Sequence, residues 1–269
     1  MHYEEKKKHI SKSGNPLVSI ITPMYNAAPY IEKTIQSLQK QSYLHWEQII
    51  VDDASTDNSV EIAEMLSAKN ARIKIIKLSE NKGAAYCRNL ATEAAKGSMI
   101  AFLDADDLWH EDKLELQLRF MDQNNCLVSY TSYFHINDKG DKALKRIKAL
   151  PSVSYEKELT NNYIGNLTGM YNVEVLGKIL APDIRKRQDW AVWLEAIKRS
   201  EKPAMGLQKD LAFYRIHEGG MSSKKRSLIK YNFQFYRNHL GYSQVGSLWR
   251  LSKFFWEYFF VRPNQIDYL

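Results

Sequence analysis

The 269-residue chain contains no apolar run approaching the roughly 18 uncharged residues that a membrane-spanning helix requires. Its lysine-rich amino terminus is not followed by an apolar segment, so no secretory signal peptide is expected. Cysteine is scarce. Cys87 and Cys126 are too few for a disulfide framework, and neither has a His or Cys neighbour at metal-ligand spacing, which predicts free thiols in a cytoplasmic protein. Neither G-x-G-x-x-G nor G-x-x-x-x-G-K-[ST] occurs, which argues against a dinucleotide fingerprint and a P-loop NTPase. Acidic residues are rare at the carboxyl end. Between Ser222 and Leu269 eight basic residues face only Glu257 and Asp267, so six of the seven net positive charges lie there. Such a segment seeks an anionic surface, membrane or nucleic acid. The remaining composition, 44% hydrophobic and 26% charged, is that of an ordinary globular protein with a full core.

Within residues 17–109 apolar, β-branched runs alternate with helical periodicity. Leu17 to Thr22 reads as a strand stopped by Pro23, and Ile31, Ile35 and Leu38 recur at helical spacing up to about Gln41. Trp46 to Val51 is a second strand running into Asp52 and Asp53. Ser55-Thr56-Asp57-Asn58 then caps a helix carrying Val60, Ile62, Ala63 and Leu66. Ile73 to Leu78 makes a third strand, Asn81-Lys82-Gly83 a turn, Ala84 to Ala95 a helix, and Met99 to Leu103 a strand buried on both faces. This alternation predicts a parallel sheet with right-handed crossovers. Every polar cluster follows a strand, so all gather at the carboxyl edge, where open α/β sheets hold ligands. Further on, His110 to Asp122 reads as helix, Cys126 to Ile136 as strand, Asn137 to Lys148 as an exposed loop, and Gly165 to Gly169 as a glycine-rich stretch. Trp190 to Ile197 reads as helix, Leu211 to Ile216 as strand and Ser227 to Val261 as helix, while residues 1–16 read as a flexible segment.

The fourth strand drives into Asp104, Asp106 and Asp107. Side chains alternate along an extended chain, so Asp104 and Asp106 share a face. Paired carboxylates there repel unless a cation lies beside them. A hard divalent ion shared with phosphates would meet that need; an acidic helix-capping loop is the alternative. Spacing alone leaves both open.

Six elements occur in order: Val18 to Asn26 (VSIITPMYN), Val51 to Ser59 (VDDASTDNS), Asn81-Lys82-Gly83 with Arg88-Asn89, Phe102 to Asp107 (FLDADD), Arg187-Gln188-Asp189-Trp190, and Tyr214 to Gly219 (YRIHEG). Together they resemble the family 2 glycosyltransferases of GT-A fold over about residues 17–221, most closely bacterial enzymes of capsule, teichuronic-acid or lipopolysaccharide assembly. The resemblance implies an α/β fold with a Rossmann-like mixed sheet flanked by helices. It divides the chain into a nucleotide-binding half, 17–109, an acceptor half, 110–221, and a basic, aromatic helical tail, 222–269.

The same resemblance assigns roles. Pro23 and Tyr25 would line the base pocket, with the Tyr25 ring as stacking face. Asp53 would accept from the uracil N–H while Asp52 braces its loop. Lys82 and Arg88 would approach the diphosphate or ribose, and Asp104 the ribose. Asp106 would hold Mn²⁺ or Mg²⁺, Asp107 would brace that loop, and His217 would be a third ligand or a diphosphate contact with Arg215 nearby. Asp189, opening a helix whose dipole favours its anion, would be the general base. Relatives often carry Glu-Asp where this chain has Gln188-Asp189. The competing structural readings are helix caps for Asp52, Asp53 and Asp189, a solvated face for Arg88, and a packing role for His217.

The expected activity is inverting, metal-assisted transfer from a nucleotide-sugar, a UDP-sugar, to a hydroxyl of a cell-surface glycan or a polyprenyl-diphosphate-linked acceptor. The aromatic and basic stretch Leu248 to Arg262 could lie on an anionic membrane surface, peripheral on the inner face, or pack on the domain. No nucleic-acid partner is expected, since no RNP or OB pattern accompanies it. Two other readings are a nucleotide-sugar-forming nucleotidyltransferase and a non-catalytic glycan- or membrane-binding module. The first needs a glycine-rich basic loop where this chain has Pro23-Met24-Tyr25-Asn26; Asp104, Asp106 and Asp189 speak against the second.

Overall fold

The apolar runs of the first hundred residues form four parallel strands: β1 (Val18–Met24), β2 (Trp46–Asp52), β3 (Ile73–Lys77) and β4 (Met99–Phe102). Between them lie α1 (Ile31–Gln39), α2 (Ser59–Ser67) and α3 (Ala84–Ala94). The structure, a computed structural model, describes residues 15–217 and 225–269. The expected flexible segment lies outside it as far as residue 14, as do residues 218–224 with the expected boundary at 221. β1 is central, with Val18 opposite Trp46 on one side and Met99 on the other. It runs through Pro23 rather than stopping there. The carbonyl of Ile21 accepts from the Leu103 N–H, so Pro23, two residues on, faces the same side beyond the end of β4. Its missing N–H therefore breaks no ladder bond.

The second half adds β5 (Leu108–Trp109), α4 (Lys113–Gln123), β6 (Val128–Ile136), β7 (Ala143–Ile147), β8 (Ser152–Val153), α5 (Tyr155–Glu158), β9 (Met170–Asn172), α6 (Val173–Leu176), α7 (Gln188–Ser200) and β10 (Ala204–Arg215). The carboxyl-terminal part contributes α8 (Lys225–Gln234), α9 (Gln244–Trp256) and β11 (Ile266–Tyr268). Among the described residues the main strand path is β3-β2-β1-β4-β9-β6-β7-β11, with β10 on the other flank of β6 carrying β5 and β8. β9 runs antiparallel to both β4 and β6, which makes the sheet mixed.

Alternation along β1 sorts the core. Val18, Ile20 and Met24 face α1, α2 and α4 residues such as Ile31, Ile35, Ala63 and Leu114, whereas Ile21 faces Cys87 and Ala91 of α3 and Trp193 and Ile197 of α7. Both cysteines are buried free thiols. The glycine-rich stretch has a packing cause: a Cβ on Gly169 would collide with the Trp193 indole.

Two segments differ from expectation. Residues 137–148 are not simply a loop. The side-chain oxygen of Asn137 accepts from the N–H groups of Gly140, Asp141 and Lys142, closing a turn that returns the chain as β7. The cations of this strand and its end hide its pattern in the sequence; Arg146 bonds Asp210 at 2.7 Å and Lys148 bonds Asp267 at 2.9 Å. The carboxyl-terminal part is not helix alone either, because β11 rejoins the sheet antiparallel to β7. Upstream of it, Phe235, Tyr236 and Phe254 pack on Trp190 and Leu194 of α7.

Candidate active site

The strand-to-helix loops at the carboxyl ends of β1, β2 and β4 wall a cleft of about 590 Å³, lined among others by Pro23, Tyr25, Asp53, Arg88, Asp104, Asp106, Arg215 and His217. Eight of the ten residues singled out from sequence therefore converge. The loop after β1 is stitched to the loop after β2. The Asn26 side-chain oxygen accepts from the Thr56 N–H at 2.8 Å, and the Asn26, Ala27 and Ala28 amides donate to Ser55, Ser59 and Asp57. Tyr25 is left half exposed at the rim. Asp52 accepts from the Ser55 N–H and hydroxyl and so braces its loop. Asp53 accepts from the amides of Lys82 and Gly83 at 2.6 and 2.9 Å, anchoring the start of α3. A carboxylate has about four acceptor sites, so it keeps capacity for another donor. The Lys82 amine turns to Glu80, 3.2 Å away, and Lys82 is not among the lining residues.

At the end of β4 three carboxylates crowd a poorly solvated pocket. Burial first, then Asp104, pushes Asp106 above the usual carboxylate range, opposed by the hydrogen bond from His217. Asp107 is pushed well above that range by burial, then by Asp106 and Asp104. Two arginines and a histidine offset this only in part. The Arg88 Nη2 donates to both Asp104 oxygens, at 2.8 and 2.9 Å. Arg215 donates from Nε to the Asp106 carbonyl at 2.7 Å and from its amide to Asp107 at 2.9 Å, bolting the acidic loop to β10. The Arg215 Nη2 is buried without a partner among the described residues. His217 places Nε2 3.0 Å from Asp106 Oδ2.

This donor set suits a hard divalent cation, which would relieve the repulsion among Asp104, Asp106 and Asp107 that adds to the effect of burial. Among the described residues no group of three His, Cys, Asp or Glu side chains is gathered for a metal. Asp106 and His217 would supply two positions, with diphosphate oxygens and water completing the shell, as is common for Mg²⁺ sites.

Asp189 sits in the first turn of α7, outside the lining residues, with Oδ2 accepting from Asn162 Nδ2 at 2.7 Å. It belongs to the same electrostatic neighbourhood. Burial lowers the proton affinity of Arg88, but Asp104, then Asp189 and Asp106, more than restore it. Gln188 turns away, its amide donating to the Ile184 carbonyl.

Two site residues have no motif in the sequence. Asn162 meets Asp189 from 27 positions away. Tyr30 donates to Asp138 at 2.6 Å, packs on His217 with ring centroids 5.3 Å apart, and has its phenol pushed up to about 12, chiefly by that hydrogen bond. Their only signal is that polar residues occupy loops at the carboxyl edge.

Behind Asp189, Glu158 is fully buried and its carboxyl is raised to about 8, by burial first. An acid whose folded pKa is raised stabilises the fold most below its unfolded value. That contribution is lost as pH climbs toward the folded value. Glu158→Gln, which keeps an acceptor for the Tyr163 N–H, is therefore expected to leave stability near pH 5 almost unchanged. It should also flatten the decline between about pH 5 and 8, read by denaturant melts across that range.

A family model described as glycosyl transferase family 2 matches residues 19–178. The Bacillus subtilis protein named "Putative teichuronic acid biosynthesis glycosyltransferase TuaG" is 45% identical over 82% of this chain and 88% of its own length. The Escherichia coli protein WfgD, named a UDP-Glc:alpha-D-GlcNAc-diphosphoundecaprenol beta-1,3-glucosyltransferase, is 36% identical over 80% of this chain and 83% of its own. Among solved structures, Staphylococcus aureus TarS 1-349 in complex with UDP-GlcNAc superposes with a TM-score of 0.71 at 22% identity, covering 92% of this chain and 74% of TarS 1-349. That likeness extends the fold alone.

Proposed function

Because the chain belongs to glycosyltransferase family 2 and is a glycosyltransferase of GT-A fold, we propose that it transfers a sugar from a UDP-sugar to a hydroxyl of a lipid-linked glycan, inverting the anomeric centre with Asp189 as base. The observation that carries this reading is the meeting of Tyr25, Asp53, Arg88, Asp104 and Asp106 in one cleft, with Asp189 close enough to act on Arg88. The UDP-GlcNAc held by a structural neighbour and the diphosphoundecaprenol acceptor in the name of WfgD support the two substrate classes.

The uracil would stack on Tyr25 beside Pro23 and donate its ring N–H to Asp53. Arg88 and Asp104 would take the ribose and diphosphate, and Lys82, part exposed and paired with Glu80 beside the Tyr86 ring, would reach the diphosphate. Arg215 would turn its unpartnered Nη2 to the same group. Asp106 and His217 would hold Mn²⁺ or Mg²⁺ in place of the hydrogen bond they share. Bound there, the ion supplies Lewis acidity that offsets the charge on the departing UDP. A Pyrobaculum calidifontis mannosyltransferase structure that shares the fold, with a TM-score of 0.67 at 18% identity, contains GDP-Man and Mn²⁺. Asp189 takes the proton of the acceptor hydroxyl as that oxygen bonds the anomeric carbon and the carbon–diphosphate bond breaks. One displacement inverts the centre.

A nucleotide-sugar donor and a lipid-linked acceptor would meet the enzyme on the cytoplasmic side of the membrane. Among the described residues no helix is long and apolar enough to cross a bilayer. Release of UDP from a panel of nucleotide-sugars, with Mn²⁺ and a polyprenyl-diphosphate-linked acceptor, tests the reading. Acceptor-dependent release from a UDP-sugar is expected, and none from any nucleotide-sugar would overturn it.

Asn162 would restrain one Asp189 oxygen and leave the other to the acceptor. Asn162→Ala is expected to lower kcat about tenfold, the scale of one lost hydrogen bond to a charged group, with the donor KM unchanged. Steady-state kinetics with both substrates varied checks that split.

A further inference from the structure

Helix α9 and the π turn that follows it, Glu257–Val261, have two unlike faces. Ser247, Leu251, Phe254 and Glu257 are buried against the domain. The opposite face carries Val245, Leu248, Trp249, Trp256, Phe259 and Phe260, all more than half exposed. Their spacing of three, four, eleven, fourteen and fifteen residues from Val245 keeps them on one helical stripe. A contiguous apolar stripe of this kind, rich in Trp and Phe, marks an interaction surface.

Charge selects the partner. The two acids of this carboxyl-terminal part are both paired. Glu257 is buried and bonded by Lys157, Tyr163 and Thr160, and Asp267 is bonded by Lys148. Arg250 is matched by Glu156. Lys253 remains exposed beside the stripe with its ammonium 3.8 Å from the Trp249 ring centroid, and Lys230 and Arg237 are exposed on the neighbouring helix and turn. An apolar aromatic face bordered by unmatched cations fits the headgroup region of an anionic bilayer.

We propose that α9 and its π turn dock on an anionic lipid bilayer, lying in the interface with this stripe inward. The back of α9 packs through Phe254 on Trp190, the residue after Asp189, with ring centroids 6.0 Å apart. Docking therefore fixes the height of α7 above the membrane. That consequence rests on the transfer reading; docking itself does not.

The test is co-sedimentation of the full chain with phosphatidylglycerol–phosphatidylcholine vesicles and with phosphatidylcholine vesicles, alongside light scattering and thermal melting. Partitioning to the anionic vesicles is expected to weaken in high salt. It should fall by about tenfold or more in the double variant Trp256→Ser, Phe260→Ser, with melting unchanged. Lys253→Glu should weaken it less. Turnover of a water-soluble acceptor analogue should be equal in wild type and double variant, so an inactive transferase that still binds vesicles would fail the transfer reading alone. Wild-type protein that ignores anionic vesicles, or a double variant that binds as wild type does, would overturn the docking. So would a vesicle-indifferent dimer that the double variant dissociates, since the stripe would then be a contact between two copies of the chain.

Discussion

Replacing Asp106 with alanine is expected to lower turnover on the order of 10³-fold, about 4 kcal/mol of transition-state stabilisation, while leaving the melting temperature unchanged or raised. The loss follows from the proposed work of this carboxylate. It would hold the cation that faces the diphosphate as negative charge moves onto the leaving UDP. The stability effect follows from a different property. Burial and then Asp104 raise Asp106 above the usual carboxylate range, so the folded site disfavours its ionised form. A raised acid contributes stability only toward low pH, and its removal forfeits none at pH 7. Turnover measured over a range of Mn²⁺ concentrations, paired with scanning calorimetry, separates the two. Full activity in Asp106→Ala would remove it as the metal residue.

Asp189→Asn is expected to bind the donor within about twofold of wild type while kcat falls on the order of 10²- to 10⁴-fold, the usual contribution of a general base. Asparagine keeps the shape and can still accept from Asn162, so α7 and its packing on Phe235 are undisturbed. Calorimetric titration of the donor, set beside single-turnover transfer, reads both quantities. A variant that transfers normally would take Asp189 out of the base role. One that loses donor affinity equally would make it a binding residue.

The nucleotide-side architecture was readable in the residues because parallel strands buried on both faces are continuous apolar runs. β4, Met99–Phe102, is buried throughout and leads into its carboxylates. Such runs end abruptly where the sheet meets solvent, so the polar residues just beyond them mark the cleft. Half-buried strands far from the sheet centre follow no such rule. β7 carries Lys145 and Arg146 on a half-buried surface, and its place in the sheet shows only once Asp210 and Asp267 are seen to meet Arg146. Long-range polar pairs are equally silent. Nothing in Asn162 names Asp189, and Tyr30 reaches Asp138 across 108 positions. Arg215 reads as a cation for phosphate, yet its Nε and amide hold the acidic loop, a bond to backbone that no spacing discloses.

The most direct measurement is a crystal structure grown with Mn²⁺ and UDP, with the metal located by anomalous scattering. The account predicts one manganese peak at Asp106, shared with the diphosphate, and the uracil against Tyr25 and Asp53. A peak bound away from Asp106, or a nucleotide seated outside this cleft, would contradict it.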